Sequence, residues 1–317
     1  MKTILTTSAV EAAEFIKRGG AVAFPTETVY GLGANVFDER AIEKIFEAKK
    51  RPNDNPLIAH VGNLEQIKLL VSEITQNADK FIEAFFPAPL TLVLPKAKTV
   101  PLTATANLET IGVRMPRNEL ALEFLRACET PLVAPSANLS GRPSPTIWQA
   151  VYEDLNGRIE CILQGETTEI GLESTVVDCT TDAPLVLRSG AITLEDLQKI
   201  IPETRIYTVK KNEQPKSPGL KHRHYSPRAR VILISDFRFQ ISNRSAFIGL
   251  SKPVGKFDLI KICQSVEDYA REFFKFFRKC DRRHIKTIYC ETVEEKGIGT
   301  ALMDRIKRAS ESGTPSG

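Results

Sequence analysis

The feature that most constrains this chain is a succession of short apolar runs, each ended by a proline or a polar loop. They are AVAF before Pro25, LIAHV at 57–61, LTLVL between Pro89 and Pro95, TIGVR before Met115-Pro116, PLVA before Pro135, then CILQG, STVVD and PLVLR. Runs this short fit strands rather than helices. Stretches with helical spacing lie between them: Ile42, Ile45 and Phe46 after Asp38; Leu64, Ile67, Leu70 and Val71 within 63–75; Phe81, Phe85 and Phe86; ELALEFLRA after Asn118; Trp148, Val151 and Leu155; and ITLEDLQKII, capped by Thr193. Strands alternating with amphipathic helices predict an α/β fold.

Polar residues gather where the runs end. Ala21–Phe24 predicts a buried strand that stops at Pro25 and launches PTETVYGLG as a loop, in which Gly31 and Gly33 allow a tight turn or close approach to a ligand, and Thr26 and Thr28 supply hydroxyls. The next helix, capped by Asp38, ends in Lys49, Lys50 and Arg51 because Pro52 restricts the residue before it. Cations there answer the helix dipole. The turn PNDNP, however, leads straight into the next strand, so Arg51, Asn55 and His60 are expected near the same sheet end as Thr28, an arrangement suited to a polyanion beside a small polar molecule. Thr110 and Arg114 flank another run, Ser136 and Asn138 follow a third, and Ser174 and Arg188 surround the last two. Singly, a strand-end arginine is an ordinary surface charge and Ser-Ala-Asn an ordinary turn.

A length of 317 residues allows about two domains. No apolar run is long enough to span a bilayer, and MKTILTTSAVEAAEF turns amphipathic and acidic, unlike a secretory signal, so a cytoplasmic location without membrane contact is expected. The six cysteines contain no CxxC pair, which predicts small buried hydrophobes in a reducing compartment rather than zinc ligands. The net charge of +4 is unevenly spread: residues 208–230 hold seven Lys or Arg against one Glu, with three prolines and no hydrophobic periodicity. A basic linker at 208–229 is therefore expected between a first domain at 1–207 and a second at 230–317.

Taken in order and spacing, PTETVYGLG, KKRPNDNPL, TIGVRMP, PSANLSG, ESTVVD and LRSG resemble the YrdC-like L-threonylcarbamoyladenylate synthases, and SPGLKHRHYSP with the small domain after it resembles their longer, two-domain members. The resemblance implies a YrdC-like twisted mixed sheet with helices. It also implies a reaction in which L-threonine, bicarbonate or CO2, and ATP give threonylcarbamoyl-adenylate and pyrophosphate, the product serving a separate transferase that modifies transfer RNA. By motif position, Lys49, Arg51, Asn55, Thr110, Ser136, Ser144 and Arg188 would hold the nucleotide, with Asn138 adding its amide and Lys49 and Arg51 serving as the catalytic pair. Thr28, His60, Arg114 and Ser174, with the backbone near Ala134, would hold threonine; a planar guanidinium such as that of Arg114 can grip two carboxylate oxygens at once. Magnesium would arrive with ATP, with no metal site on the protein itself.

Beyond the linker, RVILISDF, SAFIGL, DLIKI and KTIYC read as short strands. Val266, Tyr269, Phe273, Phe276, Phe277 and Cys280 recur at helical spacing, Phe274 widens that face, and GIGTALMDRIKRA reads as a last helix with Leu302, Ile306 and Ala309 inward. A small Rossmann-like α/β domain without catalytic residues is predicted; Gly297 and Gly299 are too little of a dinucleotide fingerprint. Pro218 and Pro227 stiffen the linker ends, so LKHRHYSP is expected to close over the pocket as a lid with Tyr225 reaching the nucleotide, a plain tether being the competing reading. His222 and His224 lack carboxylate or thiolate partners for a metal. From another class, a double-stranded RNA-binding role competes, because the linker and Arg271–Lys286, with seven cations against two acids, offer phosphate contacts. The polar set at strand ends, which a backbone binder does not need, favours the enzyme.

Overall fold

The computed structural model describes residues 2–207, 226–236 and 241–311. Residues 220–225 of the lid segment, with His222, His224 and Tyr225, lie outside the described residues; its last two, Ser226 and Pro227, are described. In chain order the first strands are β1 (Ile4–Thr6), β2 (Val22–Phe24), β3 (Gly31–Asn35), β4 (Ile58–His60), β5 (Leu90–Pro95), β6 (Thr110–Arg114), β7 (Leu132–Val133), β8 (Cys161–Leu163), β9 (Thr175–Asp178), β10 (Leu185–Arg188) and β11 (Arg205–Ile206). They form one sheet in the order β1-β8-β2-β3-β7-β4-β6-β5-β9-β10-β11. It is mixed: β4 runs parallel to β6, whereas β2 with β3 and β5 with β6 are antiparallel. Both faces are covered, because side chains alternate along each strand. Val22 and Phe24 join a core with Phe124, while Ala23 belongs to the larger core that holds Ile42, Ile45 and Phe81.

The helix caps fall where the sequence places them. Asp38 accepts a hydrogen bond from the Ala41 amide at 3.1 Å to start helix Glu39–Lys49, Asn118 caps Glu119–Ala127, and Thr193 forms a capping box with Asp196. Two expectations need correction. The helix foreseen over 63–75 is a single turn, Glu65–Lys68, because Val71 instead bridges to Lys96 and the Ala97 amide bonds the Leu70 carbonyl. PTETVYGLG is not all loop: its end, from Gly31, is strand β3. A Cβ on Gly31 or Gly33 would lie 3.2 or 3.0 Å from the Phe24 ring, so these glycines serve strand packing rather than a turn. Strands β1 and β11, only three and two residues long, carried no signal of their own.

The second sheet consists of β12 (Arg230–Ile234), β13 (Ser245–Gly249), β14 (Leu259–Ile262) and β15 (Thr287–Glu291), all parallel in the order β12-β15-β13-β14. Helix Val266–Arg282 buries Tyr269, Phe273, Phe274, Phe276 and Phe277 against it. That core also takes in Val29 and Leu172 from the first sheet's loops, so the C-terminal domain is docked on the first. Arg278 reaches across as well, donating to Asp154 at 2.8 Å and to the Pro143 carbonyl at 2.6 Å. Burial pushes the Asp154 carboxyl up, but Arg278 and Arg142 outweigh it and hold its pKa below the usual range. Within Arg271–Lys286, Arg271, Lys275, Arg278 and Arg282 are paired with Asp268, Glu272, Asp154 and Glu153, which removes much of the cationic stripe that RNA would require. All six cysteines are free and buried. Among the described residues no helix is long and apolar enough to cross a membrane.

Candidate active site

The loop after β2 is built by its own threonines. Thr26 Oγ1 donates to the Val29 carbonyl at 2.7 Å and accepts from the amides of Thr28 and Val29, folding the segment back on itself and pairing these backbone groups internally. Tyr30 then anchors it: its amide donates to the Pro145 carbonyl, and its hydroxyl to the Gly165 carbonyl at 2.9 Å, with burial raising the phenol to about 12. Opposite this loop, parallel strands β4 and β6 end together, with His60 and Arg114 as register partners. Parallel pairing therefore brings two side chains, 54 positions apart in sequence, to one sheet edge.

Arg114 is held on two sides. Nη1 donates to Thr28 Oγ1 at 2.9 Å, and Nη2 lies 2.7 Å from Glu27 Oε1 in an ion pair whose angle falls outside hydrogen-bond geometry; both side chains are buried. His60 stacks edge-on to Phe24 and its Nδ1 lies 3.1 Å from the Ile58 carbonyl. A carbonyl can only accept, so Nδ1 carries the proton and Nε2 is left as an acceptor. Burial first, then the Arg114 charge, lower the His60 pKa to about 3. The unfolded imidazole titrates near 6.5, so the unfolded chain binds more protons below that pH. Stability is then full above pH 6.5 and lost as pH falls towards 3. His60 alone should cost about 2 kcal/mol between pH 8 and pH 5; His60→Gln is expected to flatten that part of the denaturation profile, and an unchanged slope would contradict a buried neutral imidazole.

On the other wall, Ser174 Oγ shares a 2.8 Å hydrogen bond with Thr91, and Arg188 donates to the Ser174 hydroxyl at 3.1 Å and carbonyl at 3.0 Å. The loop after β7 presents Ala134, Pro135 and Ser136. It is fastened from beneath by Lys49, whose ammonium donates to the carbonyls of Ser136 and, at 2.6 Å, Asn138. Burial first and then the Arg51 charge hold the Lys49 pKa well below the ordinary lysine value.

Together these elements enclose a cavity of about 640 Å³, open solvent at its mouth included. Of the residues expected from sequence it gathers Thr28, Arg51, His60, Arg114, Ala134, Ser136, Ser174 and Arg188 on its wall. Lys49 and Asn138 sit behind that wall: Asn138 knots its own loop, its amide donating to the Leu139 and Arg142 carbonyls. Asn55 is buried beside it and its carbonyl accepts from Arg51 at 3.2 Å. Ser144 is also behind the wall, donating to Glu173 at 2.6 Å. Thr110 starts the strand that Arg114 ends, roughly 13 Å away at the usual rise per residue. Two acids were missed. Glu27 lies within PTETVYGLG and Glu173 opens ESTVVD, but their part as counter-charges to Arg114 and Arg305 emerges only when the partners are seen. Among the described residues, no three His, Cys, Asp or Glu side chains converge as metal ligands.

Fold and cavity together define a YrdC-like α/β protein with a guanidinium- and hydroxyl-lined pocket at its strand ends. A family model described as "Telomere recombination" matches residues 14–190, and one described as "Threonylcarbamoyl-AMP synthase, C-terminal domain" matches residues 192–311. The chain is 46% identical to the threonylcarbamoyl-AMP synthase of Pyrococcus abyssi, covering 94% of this chain and 93% of that one. It is 38% identical to that of Bacillus subtilis, over 95% and 92% of the two chains. The crystal structure of P. abyssi Sua5 complexed with L-threonine superposes with a TM-score of 0.89 at 42% identity, covering 98% of this chain and 97% of that one. The chain belongs to the threonylcarbamoyl-AMP synthase family, in its two-domain form.

Proposed function

We propose that the protein is a nucleotidyltransferase that makes threonylcarbamoyl-adenylate and pyrophosphate from L-threonine, bicarbonate or CO2, and MgATP. The observation that carries this reading is the charge of the cavity: Arg51, Arg114 and Arg188 line it, and the two nearby carboxylates, Glu173 on the wall and Glu27 behind it, are each paired with an arginine, Arg305 and Arg114. Such a wall suits anionic reactants. Arg114, fixed by Glu27 and Thr28, presents a planar donor to the threonine carboxylate; Ser174, the acceptor nitrogen of His60 and the Ala134 backbone complete that subsite. Arg51, Ser136 and Arg188 hold the triphosphate, supported by Lys49, Asn55, Thr110, Asn138 and Ser144. The threonine nitrogen forms a bond to the carbon of CO2 and loses a proton, giving a carbamate. A carbamate oxygen then attacks the α-phosphorus as the bond to the departing pyrophosphate breaks, so bicarbonate as carbon source releases one water overall. This displacement needs aligned anions and neutralised charge more than a strong base. Magnesium enters as part of the ATP substrate. The product passes to a separate transferase acting on transfer RNA, in the cytoplasm.

Pyrophosphate release measured with each reactant omitted in turn tests the reading: release must need threonine, bicarbonate and ATP together. Release without threonine or without bicarbonate would sink it. Arg51→Ala is expected to weaken ATP by about 10- to 100-fold, the loss of one to two charge-assisted hydrogen bonds, with little change in melting, because Arg51 is only partly buried and lies beyond the helix end. A lowered melting temperature with intact ATP binding would instead make it a helix-end residue.

A further inference from the structure

The last helix, Ile298–Glu311, carries an arginine where its apolar face should continue. Arg305 shares the inward side with Leu302, Ile306 and Ala309, and it is fully buried. Its guanidinium leaves the C-terminal domain: Nε lies 3.2 Å from Glu173 Oε2, and Nη1 donates to the Ser189 carbonyl at 2.8 Å. Glu173 lines the cavity and its other oxygen accepts from Ser144 Oγ at 2.6 Å. Residues 174 and 188, the immediate chain neighbours of these two contacts, are Ser174 and Arg188 of the cavity wall.

The same region is gripped from a second helix. Arg278 donates through Nε and Nη2 to the carbonyl of Pro143, the residue before Ser144. The approach of that helix is close: a Cβ on Gly171 would lie 2.5 Å from the Cα of Arg271, and Leu172, next to Glu173, is part of the C-terminal domain's own core. Ser144 is thus bracketed by two arginines that both come from the C-terminal domain.

Resting on the synthase reading above, we infer that the C-terminal domain completes the nucleotide side of the active site, and that Arg305 is a positioning residue acting through Glu173 on Ser144 and the 188–189 strand end. The physical need is clear from the charges. A carboxylate facing a cavity meant for a triphosphate repels its ligand unless a cation offsets it. Arg305 supplies that cation from behind the wall, and leaves Glu173 free to fix the Ser144 hydroxyl as an acceptor. Holding the Ser189 carbonyl with the same planar group sets Arg188 relative to Ser174.

The test uses the full chain with Arg305→Met, Arg305→Lys and the pair Arg305→Met/Glu173→Gln, comparing calorimetric titrations of MgATP and of threonine with steady-state pyrophosphate release. Arg305→Met is expected to weaken ATP at least tenfold while threonine binding stays within about twofold. Adding Glu173→Gln removes the uncompensated charge and should recover most of the ATP affinity. Arg305→Lys keeps the charge but cannot span Glu173 and Ser189 together, and is expected to weaken ATP about threefold; it carries the test if Arg305→Met does not fold. Unchanged ATP binding in the folded variants, equal weakening of threonine, or no recovery in the double variant would overturn the inference. Because ATP titration needs no turnover, failure of the relay and failure of the synthase reading, seen as wild-type protein that does not couple threonine and bicarbonate to pyrophosphate release, are separate results.

Discussion

Replacing Arg114 by alanine should damage threonine use and stability together. The guanidinium is the counter-charge of Glu27, whose carboxylate is buried 2.7 Å away, as well as the donor that orders Thr28. Removing one partner of a buried ion pair leaves the other uncompensated, at a cost of about 3–5 kcal/mol. Loss of a charge-assisted contact to the threonine carboxylate adds at least a tenfold rise in the threonine requirement. The two effects separate in the double variant Glu27→Gln/Arg114→Ala: neutralising position 27 should recover most of the melting temperature and none of the threonine affinity. Recovery of both would mean that Arg114 only balances Glu27 and does not touch the substrate. ATP titration of the folded double variant should be nearly that of wild type, and equal loss of ATP and threonine would assign Arg114 to the nucleotide instead.

The second large effect is expected at Lys49. Its ammonium closes the loop after β7 by donating to the Ser136 and Asn138 carbonyls. Lys49→Met keeps the length and apolar stem but removes both bonds. The Asn138 carbonyl is then left unpaired, at a cost of about 1–3 kcal/mol, whereas the Ser136 carbonyl keeps the Asn138 amide, 3.0 Å away. Against this stands the relief of no longer burying an ammonium whose pKa is already driven well down by burial and by Arg51. These contributions oppose each other, so melting should shift only modestly. Activity has no such compensation: Ser136 and Ala134 enter the cavity on that loop, so losing its fastening displaces residues of both proposed subsites. Turnover is expected to fall at least 30-fold, the equivalent of about 2 kcal/mol. Turnover within threefold of wild type would show that neither the charge nor the loop position matters.

The cavity residues were legible in unequal degrees, and the reason is the kind of contact each makes. Thr28, His60, Arg114, Ser136, Ser174 and Arg188 stand at or beside the ends of short apolar runs, where strand geometry delivers them to a common edge, and Arg51 joins them from a helix end through the PNDNP turn. Glu27 and Glu173 stand in the same motifs but act on residues far away, Arg114 and Arg305, so their chain neighbours say nothing about their partners. Arg305 left a trace, a charge at an inward position of an amphipathic helix, yet its meaning depends on a domain that is not its own.

The same division separates what the sequence by itself determined from what only the tertiary structure decided. Apolar runs of four or five residues, proline stops and the cap residues Asp38, Asn118 and Thr193 are local signals, and they determined the alternation of strands and helices because hydrogen bonding and side-chain period act within a few residues. Strand order, the joining of Gly31–Asn35 to the sheet, and the one-turn length of the helix at Glu65–Lys68 were decided by non-local pairing, with Phe24 packing over Gly31 and Gly33, and with Val71 bridging to Lys96. The seat of the C-terminal domain was decided in the same way. Val29 and Leu172 are buried in its core, and Arg278 and Arg305 reach out of it, because an apolar face and a buried charge each take whichever partner the folded chain brings within a few ångströms.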